Sequence, residues 1–366
     1  MDPSKHGKNK QKAAKFYEEL MHQSFCEAQR VLKPEGMMVV VYAHKTTAGW
    51  STLIDSLRRA GFIITEAWPL DTENSGRLRA INSAALASSI FLVARKRQDS
   101  EIGDYAMDVR PNLTEIVQER VKTLMAEGVT GADLVIACIG AGLRAYTQYD
   151  RVELPNGEEL NANSFLDEVQ KEVVEAILTS VLQCDRRGVS LVDKPTQYYI
   201  MGRYEYGEAA VEFDEANTLA KGIGIELDGA FGLTNGKLAL VKKTKTTVQL
   251  NDYRERGAHE DLGILAPLSL GRGAGGEVSN SLIDILHRLL WLADNKPQNI
   301  PQFISQAQPD TAQLRLVAQA LAGRALTAES NQENGLSPRT KEQAAIDTLL
   351  ASWKRLIEDN LFTQRK

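Results

Sequence analysis

Long apolar runs are missing from this chain of 366 residues. None approaches the ~20 residues that span a bilayer, and the opening MDPSKHGKNKQK holds no apolar core for a secretion signal. A cytoplasmic protein with no membrane partner is the expectation. Cysteine is scarce: Cys26, Cys138 and Cys184 stand far apart, with no His or Cys neighbour at metal-ligand spacing. They read as buried or free thiols, and no metal site is expected. Adjacent prolines are absent throughout. What is present, 43% apolar and 25% charged residues, suffices for a buried core and for two or three domains.

A net charge of -5 conceals an asymmetry. Residues 1 to 97 carry 15 Lys and Arg against 9 Asp and Glu, and the remainder 28 against 39. A basic segment on an acidic chain can face a polyanion, although solvated helix faces produce similar counts.

The first hundred residues carry the clearest pattern. Phe16, Leu20, Phe25, Ala28 and Leu32 recur at spacings near three and four, which predicts an amphipathic helix that Pro34 and Gly36 stop. MMVVVYA then reads as a strand covered on both faces. GWSTLIDSLRRAGF predicts a second helix, with Leu53, Ile54 and Leu57 inward and Gly61 as its stop. The strand FIITEAW follows, then a polar connection, then the strand SSIFLVARK ending in Arg95, Lys96 and Arg97. This order predicts an open, mostly parallel α/β sheet whose last strands return like a hairpin. Three strands leave an edge where earlier strands would sit, so an upstream part is expected to be supplied elsewhere.

RVLKPEG before a hydrophobic strand resembles the fifth-strand region of S-adenosylmethionine-dependent methyltransferases with a Rossmann-like core. The longer run FYEELMHQSFCEAQRVLKPEGMMVVVYAHK through WPLDTE to ALASSIFLVARKR is more narrowly similar to the C-terminal half of the catalytic domain of large prokaryotic adenine-specific DNA methylases of phage-defence gene clusters. GADLVIACIGAGLRAYTQYDRVE and VEFDEANTLAKGIGIEL look like that family's downstream region. The resemblance implies a DNA adenine-N6 methyltransferase, double-stranded DNA as substrate and S-adenosylmethionine as cofactor of the complete enzyme. It also implies a Gly-rich turn after the first strand and an Asp-Pro-Pro-Tyr type tetrapeptide after the fourth, which orients the amine of a flipped base. Neither motif is found here. Asp2-Pro3 continues into Ser4 and Lys5, so no catalytic residue is assigned and no cofactor is expected on this chain alone. Two readings follow: the distal part of such an enzyme, working with a separate N-terminal half, or a noncatalytic DNA-binding or assembly subunit of a defence complex.

Loops at the carboxyl ends of strands line the ligand crevice of an α/β sheet. His44, Lys45, Trp50, Glu73 and Arg77 are therefore the crevice candidates, with Lys45, Arg77 and Arg79 steering DNA phosphate. For Trp50 and Trp68 the alternative is core packing, and for Arg95, Lys96 and Arg97 a solvated strand end. Gly140, Gly142 and Ala145 fit a loosened dinucleotide fingerprint, but Leu134, Ala137, Cys138 and Ala141 fit one close-packed helix face better. GIGIE at Gly222 reads as a helix stop, and SLGRGAGGEV lacks the Lys-Ser/Thr pair of a phosphate loop.

Downstream, residues 112 to 147 read as mainly helical, Asn156-Gly157 as a turn, and NSFLDEVQKEVVEAILTSVL as a long helix. DEANTLAKGIGIEL before GKLALVKKTKTTVQL, with Lys237, Lys242, Lys243 and Lys245, follows the order of a winged-helix DNA reader; lysines that block an exposed edge give the same pattern. The expected organisation is the methyltransferase half-domain at 1–100, an α+β domain at 101–256, a linker at 257–280 and a helical region at 281–366, in which His287 packs among leucines.

Overall fold

A computed structural model of the chain describes residues 10–42, 47–71, 88–129, 131–264, 281–323 and 339–358. The protein is mixed α and β, mostly helical, with small sheets. It divides at Val173 and Val174, inside one long helix, into two compact units.

The first unit begins with α1 (Lys10–Val31), β1 (Met37–Tyr42), α2 (Thr47–Arg59), β2 (Phe62–Asp71) and β3 (Ser88–Lys96). Gly61 ends α2 at a φ of +81°, a left-handed conformation that other residues rarely adopt. The sheet has the order β1-β3-β2. β3 lies between the other two and antiparallel to both, so β1 and β2 run the same way without pairing to each other. The expected return strand is present, but the expected mostly parallel ladder is not, because β3 takes the central place and every described pairing in this sheet is antiparallel.

The side-chain period of two divides this sheet into unlike faces. Phe62, Ile64, Ala67, Ile90, Leu92 and Ala94 are buried on one. The register puts Met37, Val39 and Val41 on the other, opposite Arg95, Val93 and Phe91. All three are exposed, so β1 is not the strand covered on both faces that its sequence predicts.

A short parallel pair follows, β4 (Ile102–Asp104) with β5 (Arg151–Glu153), spanned by α3 (Arg110–Ala126) and α4 (Gly131–Thr147). The turn at Asn156-Gly157 is present, with Gly157 at φ +81°. α5 (Ala162–Leu182) leads into the second unit. No division occurs near residue 100. Arg97 donates to the carbonyls of Thr147 and Tyr149 and pairs with Asp150 at 2.6 Å, which fastens the end of β3 to the segment after α4.

The second unit holds α6 (Arg186–Ser190), α7 (Lys194–Tyr206), β6 (Val211–Glu212), α8 (Phe213–Ile223), β7 (Val241–Lys243), β8 (Thr247–Leu250), α9 (Tyr253–Arg256), α10 (Leu282–Asn295), α11 (Ile300–Ala307), α12 (Thr311–Leu321) and α13 (Lys341–Ala351). α10 is its central helix, with Ile283, Leu286 and Leu289 fully buried. Asp193 caps two helices with one carboxylate: it accepts from the Thr196 amide at 3.0 Å at the start of α7 and from the Leu282 amide at 2.9 Å at the start of α10. The first part of the expected linker is packed. Leu262 is fully buried, and Gly263 lies against the backbone of Ile285. Residues 265–280 lie outside the described residues.

Candidate functional site

Because β1 and β2 run the same way, their carboxyl ends meet the start of β3 at one end of the sheet: Tyr42 and Pro69 both face Ile90, and Asp71 faces Ser88. His44, Lys45, Glu73, Arg77 and Arg79, expected at this end, lie outside the described residues, as does Asp2. Trp50 is described. Only 6% exposed, it meets the Tyr42 ring edge-on at 5.5 Å and so packs beneath the sheet end. Burial, with the nearby Tyr17, raises the Tyr42 pKa above its ordinary value. Trp68 is exposed instead and lies under a guanidinium: Arg120 stands 4.1 Å over its ring and donates to the Ala67 carbonyl at 2.7 Å.

The basic end of β3 is partly structural. Arg97 is the clamp described above, whereas Arg95 reaches the Glu35 carbonyl at 3.4 Å. A second clamp, Arg58, is buried; it pairs with Glu159 at 2.8 Å and lies over the Tyr146 ring at 4.9 Å.

The glycines of IGAGLRA lie within α4 and let it approach its neighbours. A Cβ on Gly140 would stand 2.6 Å from that of Ala67, and one on Gly142 would meet Val169 and Leu113. Ala145 is fully buried. Those residues are used in packing, so they do not fit S-adenosylmethionine. Among the described residues no group of three His, Cys, Asp or Glu could hold a metal, and no helix is long and apolar enough to cross a membrane.

In the second unit β6, β8 and β7 form an antiparallel sheet in that order, with α8 between β6 and β7. Lys242 and Lys243 lie on the edge strand β7, Lys245 in the turn that follows and Lys237 before it, all exposed. Lys243 is engaged: it pairs with Asp228 and stands 4.6 Å over the Phe213 ring. That hydrogen bond, with one from Thr234, lowers the Asp228 pKa to about 2. A winged helix needs a second helix, before its hairpin, to enter the groove. Residues 224–240 instead form turns held by the bonds from the amides of Leu233 and Thr234 to the carbonyls of Glu226 and Leu227, so that reader is incomplete.

Sequence reasoning missed a buried polar network in the second unit. Glu342, at the start of α13, accepts from the Tyr199 hydroxyl at 2.6 Å and pairs with Arg203 at 2.9 Å. Its Oε1 lies 3.3 Å from His287 Nε2. Arg256 donates to His287 Nδ1 at 3.1 Å and pairs with Asp284 at 2.5 Å. Since Nδ1 accepts from an arginine, the proton of the neutral ring resides on Nε2, which lies near Glu342 without a hydrogen bond among the described residues. Burial holds the His287 pKa below its ordinary value; the Arg256 charge works the same way, and Glu342 opposes both. The signal was Asp284, His287 and Arg288 within the otherwise apolar stretch 282–291 of α10, at the spacing of one helical turn. Comparison with known proteins found no matching family model, no similar curated protein and no similar solved structure.

Proposed function

We propose that this chain forms the distal part of a DNA adenine-N6 methyltransferase of a phage-defence system, acting on double-stranded DNA in the cytoplasm with a separately supplied half. One observation supports the reading: β1 and β2 run parallel with α2 between them in sequence, and β3 returns antiparallel between the two strands, an order compatible with the far flank of such an enzyme's sheet. The supplied half holds S-adenosylmethionine and the amine-orienting tetrapeptide. In this reading His44 and Trp50 shape the substrate crevice, Glu73 orients a neighbour, and Lys45, Arg77 and Arg79 attract the phosphates.

The exposed lysines of the β7–β8 hairpin favour a second reading, a noncatalytic DNA-binding subunit. Transfer of a radioactive methyl group from S-adenosylmethionine to duplex DNA separates the two. The chain alone is expected to label nothing, and the chain with a half carrying both motifs is expected to label adenine. Labelling by the chain alone would end the first reading. If the reconstituted pair labels nothing while Lys242→Glu with Lys245→Glu abolishes a gel shift and lessens its salt dependence, the second stands.

A further inference from the structure

An asparagine followed by glycine is a step at which a polypeptide can attack itself, because glycine has no Cβ to shield its amide nitrogen from the neighbouring side-chain carbonyl carbon. Three such steps occur in the chain. Asn156-Gly157 and Asn235-Gly236 are both exposed, with the glycines at φ +81° and +82°; Asn334-Gly335 lies outside the described residues. By sequence the two described steps are alike. Their hydrogen bonding is opposite.

At Asn156 the attacking nitrogen and both ends of the side-chain amide are occupied. The Gly157 amide donates to the Leu154 carbonyl at 2.8 Å, Asn156 Oδ1 accepts from the Glu158 amide at 3.1 Å, and its Nδ2 donates to Glu158 Oε2 at 2.9 Å. At the second step Asn235 Nδ2 donates to the Ala230 carbonyl at 2.6 Å, while Asn235 Oδ1 and the Gly236 amide make no hydrogen bond among the described residues. The surrounding amides of Leu233, Thr234, Asn235 and Ala239 all reach carbonyls, so the loop keeps its shape while the Gly236 nitrogen is left to water. Asp228-Gly229, in the same loop, is guarded in another way. Its carboxylate pairs with Lys243 and accepts from the Thr234 hydroxyl at 2.7 Å, and it stays ionised, a form whose carbon resists attack.

We propose that Asn235 is a site of self-modification, independent of the function proposed above. The Gly236 nitrogen gives its proton to solvent and bonds to Asn235 Cγ. The Cγ–Nδ2 bond breaks, and the nitrogen leaves as ammonia with a proton taken from water, closing a five-membered imide. Water then opens the ring at either carbonyl, which gives aspartate at 235 or an isoaspartate whose backbone runs through the side chain. No electrons are exchanged, and water is the co-reactant. The product loses the donor to Ala230 and adds a negative charge to the loop that holds the Asp228–Lys243 pair, which loosens the turns of residues 224–240.

The test incubates the full folded chain at neutral and mildly alkaline pH and follows its tryptic peptides by mass spectrometry with electron-transfer fragmentation. Aspartate and isoaspartate should accumulate at 235, faster as pH rises, and at least about tenfold faster than at 156, where additional hydrogen bonds must break before attack. In urea the two steps should react at similar rates, because the fold alone separates them. Equal rates in the folded chain, a faster reaction at Asn156, or no product at 235 would each overturn the proposal. A difference that persists in urea would assign it to local sequence and overturn the structural cause. Asn235→Asp, which installs one product directly, should leave far-ultraviolet dichroism unchanged and speed amide exchange at Leu233 and Thr234; unaltered exchange would overturn the loosening while leaving the modification in place.

Discussion

Glu342→Ala removes the acceptor at the centre of the buried network. The carboxylate is 5% exposed and receives the Tyr199 hydroxyl and the Arg203 guanidinium, with His287 beside it. Removing one partner of a buried ion pair costs about 3–5 kcal/mol, mainly because the other charge stays buried. Arg203 retains two acceptors, the Tyr199 hydroxyl and the Gly207 carbonyl at 3.0 Å, which places the expected loss near the lower end, about 3 kcal/mol. For a unit of this size that corresponds to a fall in Tm of about 6–12 °C. Urea unfolding followed by near-ultraviolet dichroism would measure it. Glu342→Leu combined with Arg203→Met should recover much of the loss, because an apolar pair leaves no orphaned charge. A loss below about 1 kcal/mol for Glu342→Ala would refute the burial of this network, since a solvated pair contributes no more than that.

Acid should weaken the second unit in two stages. The folded pKa of His287 lies below its ordinary 6.5, so the unfolded chain takes up the proton first and stability falls as pH drops from about 6.5 toward the folded value. Glu342, whose folded pKa is lowered from 4.5, contributes stability that is present above that value and lost as pH falls through the folded one. His287→Gln should flatten the upper stage alone in a pH series of unfolding curves. Gly140→Ala should destabilise the first unit by about 1–3 kcal/mol, because its Cβ meets that of Ala67 across a close helix–sheet contact; a urea midpoint equal to that of the parent would contradict this packing. Arg120→Ala should cost about 1–2 kcal/mol through the lost Trp68 and Ala67 contacts, and light scattering should rise as the β2 edge opens.

Local chemistry made the elements legible. The apolar spacing of α1, the Pro34 and Gly36 stop, the left-handed Gly61 and the Asn156-Gly157 turn all act over a few residues, and each gave its element near its observed bounds. The hairpin of β7 and β8 was equally plain in LVKKTKTTVQL. Of the candidate site, Trp50 proved to be packing, and Lys237 and the three hairpin lysines Lys242, Lys243 and Lys245 are exposed. The other crevice residues fall outside the described segments.

Sequence by itself determined which residues form helix or strand, because φ/ψ preference and the period of the apolar pattern are properties of short stretches. Only the tertiary structure decided that β3 enters between β1 and β2, that the MMVVVY strand keeps one face in water, and that Glu342 reaches His287 and Arg203. Strand order, exposure and ion pairing between distant residues depend on which surfaces meet, and a run of apolar residues reads the same whether one face is covered or two.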